Sequence, residues 1–137
     1  MKSLAMPNNE SKLQAACVRW FNIAYPRYKL LLFAVPNGAY LSGDKLQRIK
    51  QWNKLKSEGA VAGVSDLILL IPNEQFNGLC IEMKTTAKHS KQSSAQKKFE
   101  EAVIAQGYQY KIIRNFNSFK NLIENYLKSK NNDRKQL

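Results

Sequence analysis

Asp66-Leu67-Ile68-Leu69-Leu70-Ile71-Pro72-Asn73-Glu74-Gln75-Phe76-Asn77-Gly78-Leu79-Cys80-Ile81-Glu82-Met83-Lys84 is the stretch whose reading decides the fold. The aliphatic run from Leu67 to Ile71, stopped by Pro72-Asn73, suits a strand covered on both faces. After the turn residues Asn77-Gly78, a second run from Leu79 to Lys84 follows so closely that antiparallel pairing is expected. The charges at the ends of these runs are the anomaly. Asp66 opens the first strand, while Glu82 and Lys84 stand two residues apart in the second and so leave the same face. Charged side chains are seldom buried without a partner. Two carboxylates at neighbouring strand ends repel each other unless a cation lies between them. Hard oxygen ligands suit Mg²⁺ or Mn²⁺, which lowers the pKa of a bound water while a nearby lysine orients it. The same spacing also fits an exposed Glu82–Lys84 ion pair with Asp66 as a turn residue, and spacing alone does not choose.

Upstream of this stretch, Gly59 and Gly63 bracket a loop in which glycine frees the backbone. Before it, residues 44–58 carry Leu46, Ile49, Trp52 and Leu55 at helical spacing. Residues 30–35 read as a strand ended by Pro36-Asn37-Gly38. In residues 10–25, Leu13, Ala16, Cys17, Trp20, Phe21 and Ala24 form one stripe of an amphipathic helix, closed before Pro26. Downstream, a polar loop leads to a helix over 94–106 ended by Gly107, a strand over 108–114, and a closing helix marked by Phe119, Leu122, Ile123, Tyr126 and Leu127. The order helix, strand, helix, strand, strand, helix, strand, helix predicts an α/β fold: one domain with a central mixed sheet and helices on both faces. The domain is expected over residues 1–128, with a basic, frayed and disordered tail over 129–137.

A chain of 137 residues suits one core. Twenty-two Lys and Arg against 10 Asp and Glu give a net charge of +12, which predicts attraction to polyanions and favours nucleic acid as partner. Cys17 and Cys80 have no Cys/His cluster beside them, which argues against zinc and for buried thiols in a reducing compartment. Neither a signal peptide nor an apolar run long enough to span a membrane is seen, so a soluble cytoplasmic protein is expected.

The set Gly63-Val64-Ser65-Asp66 followed by Ile81-Glu82-Met83-Lys84 resembles the PD-(D/E)xK nuclease signature. More narrowly, the chain resembles the VRR-NUC family, the virus-type replication-repair nuclease domains. The resemblance rests on Glu10 opening the first helix, Pro36-Asn37-Gly38, and the run from Leu55 through Gly59 and Gly63 to Asp66. It continues with Ile81 to Lys84, the Ser-Ser-Ala-Gln stretch ending at Gln96, and Gly107-Tyr108-Gln109-Tyr110, in order from Glu10 to Leu127. Ser65 stands where a proline often precedes the aspartate.

That resemblance implies a restriction-endonuclease-like fold and a DNA endonuclease dependent on Mg²⁺ or Mn²⁺. It implies that Asp66, Glu82 and the main-chain carbonyl of Met83 hold the metal, that Lys84 positions water and phosphate, that Glu10 reaches the site from the first helix, and that Gln96 orders water or phosphate. On their own terms, Glu10 also reads as a first-turn carboxylate favoured by the helix dipole, and Gln96 as a solvated helix residue. Free-standing members resemble junction-cleaving homodimers, which implies branched DNA or a Holliday junction as substrate in a bacterial or phage-infected cell. Restriction-type or nonspecific cleavage, and a basic DNA-binding module without catalysis, are the rival readings. Asn37, Lys45, Arg48, Lys50, Lys54, Lys56, Lys88, Lys91, Lys97 and Lys98 bracket the strands and are candidates for contacts to the DNA backbone. His89 and Tyr40 read as ordinary loop residues, and Trp20 and Trp52 as packing on apolar stripes.

Overall fold

The computed structural model describes residues 9–36, 41–85 and 91–135, with side chains described as far as Ser129. Helix α1 (Asn9–Ala24) buries Cys17 and Phe21. Strand β1 (Leu32–Ala34) is shorter than expected, because Pro26 begins a 3-10 helix over Pro26–Leu31. Proline at a helix start suits its fixed φ, and Leu30, left 89% exposed, has no sheet face to cover. Helix α2 (Lys45–Ser57) opens on a capping box in which Asp44 accepts from the Gln47 amide and the Gln47 side chain answers to the Asp44 amide. None of its residues is buried, and Leu46, Ile49 and Leu55 stay exposed.

Strands β2 (Leu67–Leu69) and β3 (Leu79–Met83) pair antiparallel as expected, and β4 (Gln109–Ile113) lies parallel to β3, giving the order β1-β2-β3-β4. Since β1 has three residues, the ladder on β2 is equally short; single bonds from Val35 N to Asp66 O and from Leu70 N to Leu31 O extend it. The β2–β3 connection is wider than a turn at Asn77-Gly78. It winds at Asn73, whose side chain accepts from the Gln75 and Phe76 amides. Asn77 instead ties down the end of helix α3 (Ser94–Ala105): its Nδ2 donates to Gln106 O and its amide to Gly107 O. Parallel strands need a crossover, and α3 supplies it.

Register then assigns the two faces. Leu67, Leu69, Leu79, Ile81, Met83 and Ile113 pack against Cys17 and Phe21 of α1 and Phe119, Ile123, Tyr126 and Leu127 of α4 (Phe116–Lys135). Each fully buried aliphatic or aromatic side chain there contributes roughly 1.5–3 kcal/mol. Trp20 joins this side, edge-on to Tyr25, Phe116 and Phe119. The opposite face presents Ile68, Cys80, Glu82 and Tyr110 by alternation, and Phe99 of α3 meets the Tyr110 ring with centroids 6.4 Å apart. The expected mixed sheet with helices on both faces is therefore the architecture. Helix α4 runs on through residues 129–135. Among the described residues, no helix is long and apolar enough to cross a membrane.

Candidate active site

The antiparallel register of β2 and β3 pairs Leu67 with Ile81, so one step further Asp66 stands opposite Glu82. A direct bond fixes this end of the ladder: the Met83 amide donates to Asp66 Oδ2 at 2.7 Å. Alternation places Asp66, Glu82 and Lys84 on the α3 face, and Lys84 Nζ is 3.9 Å from Glu82 Oε1. The expected trio is thus brought together at the ends of two adjacent strands.

Glu82 is only 4% exposed. Its Oε1 accepts from Gln96 Nε2 at 2.9 Å, while its buried Oε2 meets no hydrogen-bond donor among the described residues and can reach Asp66 only by carrying a proton. Burial and, after it, the negative charge of Asp66 push its carboxyl up to about 8, against the opposite pull of Lys84. A buried carboxylate with one bare oxygen beside a second carboxylate costs several kcal/mol unless neutralised.

Gln96 reaches Glu82 because of how α3 begins. The Ser93 side chain accepts from the Gln96 amide, and Gln96 Oε1 accepts in turn from the Ser93 amide at 2.8 Å, closing a capping box. One side-chain amide therefore caps the helix through its oxygen and holds the carboxylate through its nitrogen. The glycine loop makes room for this arrangement. Gly63 has φ +85°, and a Cβ there would collide with the main chain of Ala95 and Gln96, so only glycine lets the loop and the helix start touch. Ser65, in the place where a proline is common, is fully buried and donates to Leu67 O.

Glu10 lies in the first turn of α1 and reaches the end of β3, where the Thr85 amide donates to its Oε1 at 3.5 Å. Among the described residues no three His, Cys, Asp or Glu side chains gather closely enough to hold a metal ion, so the carboxylate cluster proper is the pair Asp66 and Glu82. Arg114, not picked out from the sequence, donates to Thr85 O at 3.1 Å. The parallel register that sets Met83 beside Ile113 puts it next to Lys84, a placement readable only once β3 and β4 are known to be parallel. Tyr110 was missed for the same reason: Gln92 Nε2 donates to its hydroxyl at 3.3 Å and to Glu100 Oε1 at 3.0 Å.

Lys45, Arg48, Lys50, Lys54 and Lys56 on α2, and Lys91, Lys97 and Lys98 at the start of α3, are all exposed. Asn37, Tyr40, Lys88 and His89 lie outside the described residues. Cys17 and Cys80 are buried free thiols, and burial pushes that of Cys17 up to about 12.

A mixed four-stranded sheet with Asp66, Glu82 and Lys84 at the ends of its middle strands has the restriction-endonuclease-like architecture. The chain belongs to the VRR-NUC family, whose domain matches residues 8–117. A solved structure described as a VRR-NUC domain protein superposes with a TM-score of 0.71 at 23% identity, covering 88% of each chain. No curated protein matches the sequence.

Proposed function

We propose that the protein is a Mg²⁺- or Mn²⁺-dependent DNA endonuclease acting on branched DNA such as a Holliday junction. The observation that carries this reading is the bare, buried Glu82 Oε2 opposite Asp66. Two hard carboxylates side by side fit a small divalent cation, which would take the place of the proton that burial otherwise holds on Glu82. Asp66, Glu82 and the Met83 carbonyl are the groups that would hold it, with Glu10, outside their cluster, reaching it from α1 through water. The ion supplies a water of lowered pKa and charge stabilisation at the phosphate.

The chain's own residues do the rest. Lys84, at the rim of the pair, orients the attacking water and neutralises charge on the scissile phosphate. Gln96 fixes the Glu82 carboxylate and leaves Oε2 free to face the ion. As the water oxygen bonds to phosphorus the bond to the leaving sugar oxygen breaks; the water's proton passes to solvent, and the sugar oxygen takes a proton from solvent in turn. Lys45, Arg48, Lys54, Lys91 and Lys97 hold backbone phosphates on either side, giving affinity that carries no sequence information. Asn37 and Lys88 join them. Two copies in a symmetric dimer would make paired incisions in one junction, in the cytoplasm of a bacterial or phage-infected cell.

Purified protein should cut a four-way junction with Mg²⁺ or Mn²⁺ and not with EDTA, and Asp66→Ala and Lys84→Ala should each abolish cutting. Equal rates on plain duplex and junction would leave the nuclease standing and remove the preference for branched DNA. Binding without metal-dependent cleavage under any condition would favour a pure DNA-binding module.

A further inference from the structure

Beside the carboxylate pair lies an apolar cleft of about 410 Å³ that the reaction does not use. Val35, Leu41, Trp52, Ala60, Val61 and Val64 line it. We propose that this cleft receives one unstacked nucleobase of the DNA strand being cut, seated against Trp52; the proposal rests on the nuclease reading.

The cleft shares its walls with the site. Val35, whose amide donates to Asp66 O, is the Asp66 partner in the β1–β2 ladder. Gly63 and Val64 run directly into Ser65-Asp66, and Gly63 abuts the start of α3 that carries Gln96. A nucleotide with its phosphate at Lys84 therefore has its neighbour's base within reach of the cleft. Its volume is that of a small-ligand pocket, commonly about 300–1,000 Å³. The apolar stripe of α2 leads one to expect Trp52 in a core, yet α2 buries no residue and Trp52 is half-buried at the cleft wall.

Charge selects the occupant. Arg48 and Lys56 stand one helical turn before and after Trp52, on the same face of α2. The helix carries Lys45, Lys50 and Lys54 besides, and no acidic residue between Lys45 and Ser57. An apolar slot walled in part by a helix that carries five cations suits a flat apolar group tethered to anions, which is a nucleotide. Stacking of this kind tolerates any base, because every base has a π-face. Bases in intact duplex are stacked and paired, so entry costs a few kcal/mol there and little at a branch or mismatch. The cleft would thereby make the enzyme prefer distorted DNA without reading sequence.

The test uses the full chain in EDTA, so that nothing is cut, with two probes: an oligothymidylate of about 12 nucleotides and an abasic strand of equal length. Trp20→Phe leaves Trp52 as the only tryptophan; should that variant unfold, the difference between wild type and Trp52→Phe reports the same signal. The oligothymidylate should quench Trp52 emission and bind at least about fivefold tighter than the abasic strand, the lower end of what one base–aromatic stack contributes. Ala60→Phe, which fills the cleft, should remove the quenching and bring both strands to one affinity. Equal affinities with unchanged emission in the starting protein would overturn the proposal while leaving the nuclease reading intact. An emission change that follows protein concentration without DNA would overturn it in favour of a second copy in the cleft. Failure of both strands to bind would overturn it together with the DNA reading.

Discussion

Replacing Glu82 by Gln should stabilise the metal-free protein at pH 8 while abolishing cleavage. The side chain keeps its shape, and the new amide oxygen still accepts from Gln96 Nε2, as Glu82 Oε1 does now. What disappears is a buried charge facing Asp66. With the folded carboxyl pushed up to about 8 from an ordinary 4.5, the folded chain retains a proton that the unfolded chain has released throughout that window. Stability is therefore intact below the ordinary value and falls as pH rises, at up to about 1.4 kcal/mol per pH unit, levelling off above the folded value. Between about pH 5 and pH 8 the loss is roughly 3–4 kcal/mol. A chain of this length has only about 7–20 kcal/mol in total.

Thermal unfolding followed by circular dichroism in EDTA should show the wild-type midpoint dropping by about 10 °C over this range, taking about 3–5 °C per kcal/mol for a domain of this size. The midpoint of Glu82→Gln should stay nearly flat. Millimolar Mg²⁺ should restore the wild type, more at pH 8 than at pH 6, because binding competes with the proton; it should do little for the variant. A variant less stable than wild type at pH 8, or one with the same pH dependence, would refute the view that Glu82 is held at a cost for the ion.

Gly63→Ala should destabilise the fold by about 1–3 kcal/mol through its positive φ and the clash with Ala95. It should lower kcat as well, since α3 and Gln96 must move; both are read by denaturant melts and single-turnover cleavage. Gln96→Glu should keep the helix cap but exchange the donor on Glu82 for a third carboxylate. Its metal-free form should lose about 1–3 kcal/mol at pH 8, and activity should fall while α3 stays helical by hydrogen exchange. Ile123→Ala, fully buried on the opposite face, should cost about 2–5 kcal/mol and leave the rate per folded molecule unchanged.

The common face of Glu82 and Lys84 was legible because period-two alternation requires no tertiary knowledge; Asp66 joins them only through the antiparallel register of β2 and β3. The elements misjudged are those set by their neighbours. Residues 30–31 have strand composition, yet the Pro26 start coils them into the 3-10 helix, and β2 is short because β1 is. The stripe on α2 reads as a core helix, but among the described residues Leu46 and Ile49 stay exposed. Arg114 and Tyr110 were hidden by long-range register: nothing local to residues 108–114 states that they lie parallel to β3. The 3.9 Å separation of Lys84 and Glu82 also shows why spacing left the trio open, since an ion pair is present within a site that is itself buried.

Gln96 shows most directly why a motif is less than a site. Read along the chain, a glutamine three residues after Ser93 is a helix-start signal, and that reading is correct. Read across the fold, the same amide donates to a buried carboxylate. The two roles reinforce each other, because the cap fixes the side chain whose nitrogen must reach Glu82, and Gly63 fixes where the cap sits. Removing the cap would then loosen the carboxylate without touching it. The electrostatic cost at Asp66 and Glu82 is thus borne by a scaffold of ordinary local devices: a capping box, a left-handed glycine and an alternating strand. None of these is peculiar to catalysis, and their conjunction around one bare oxygen is what marks the site.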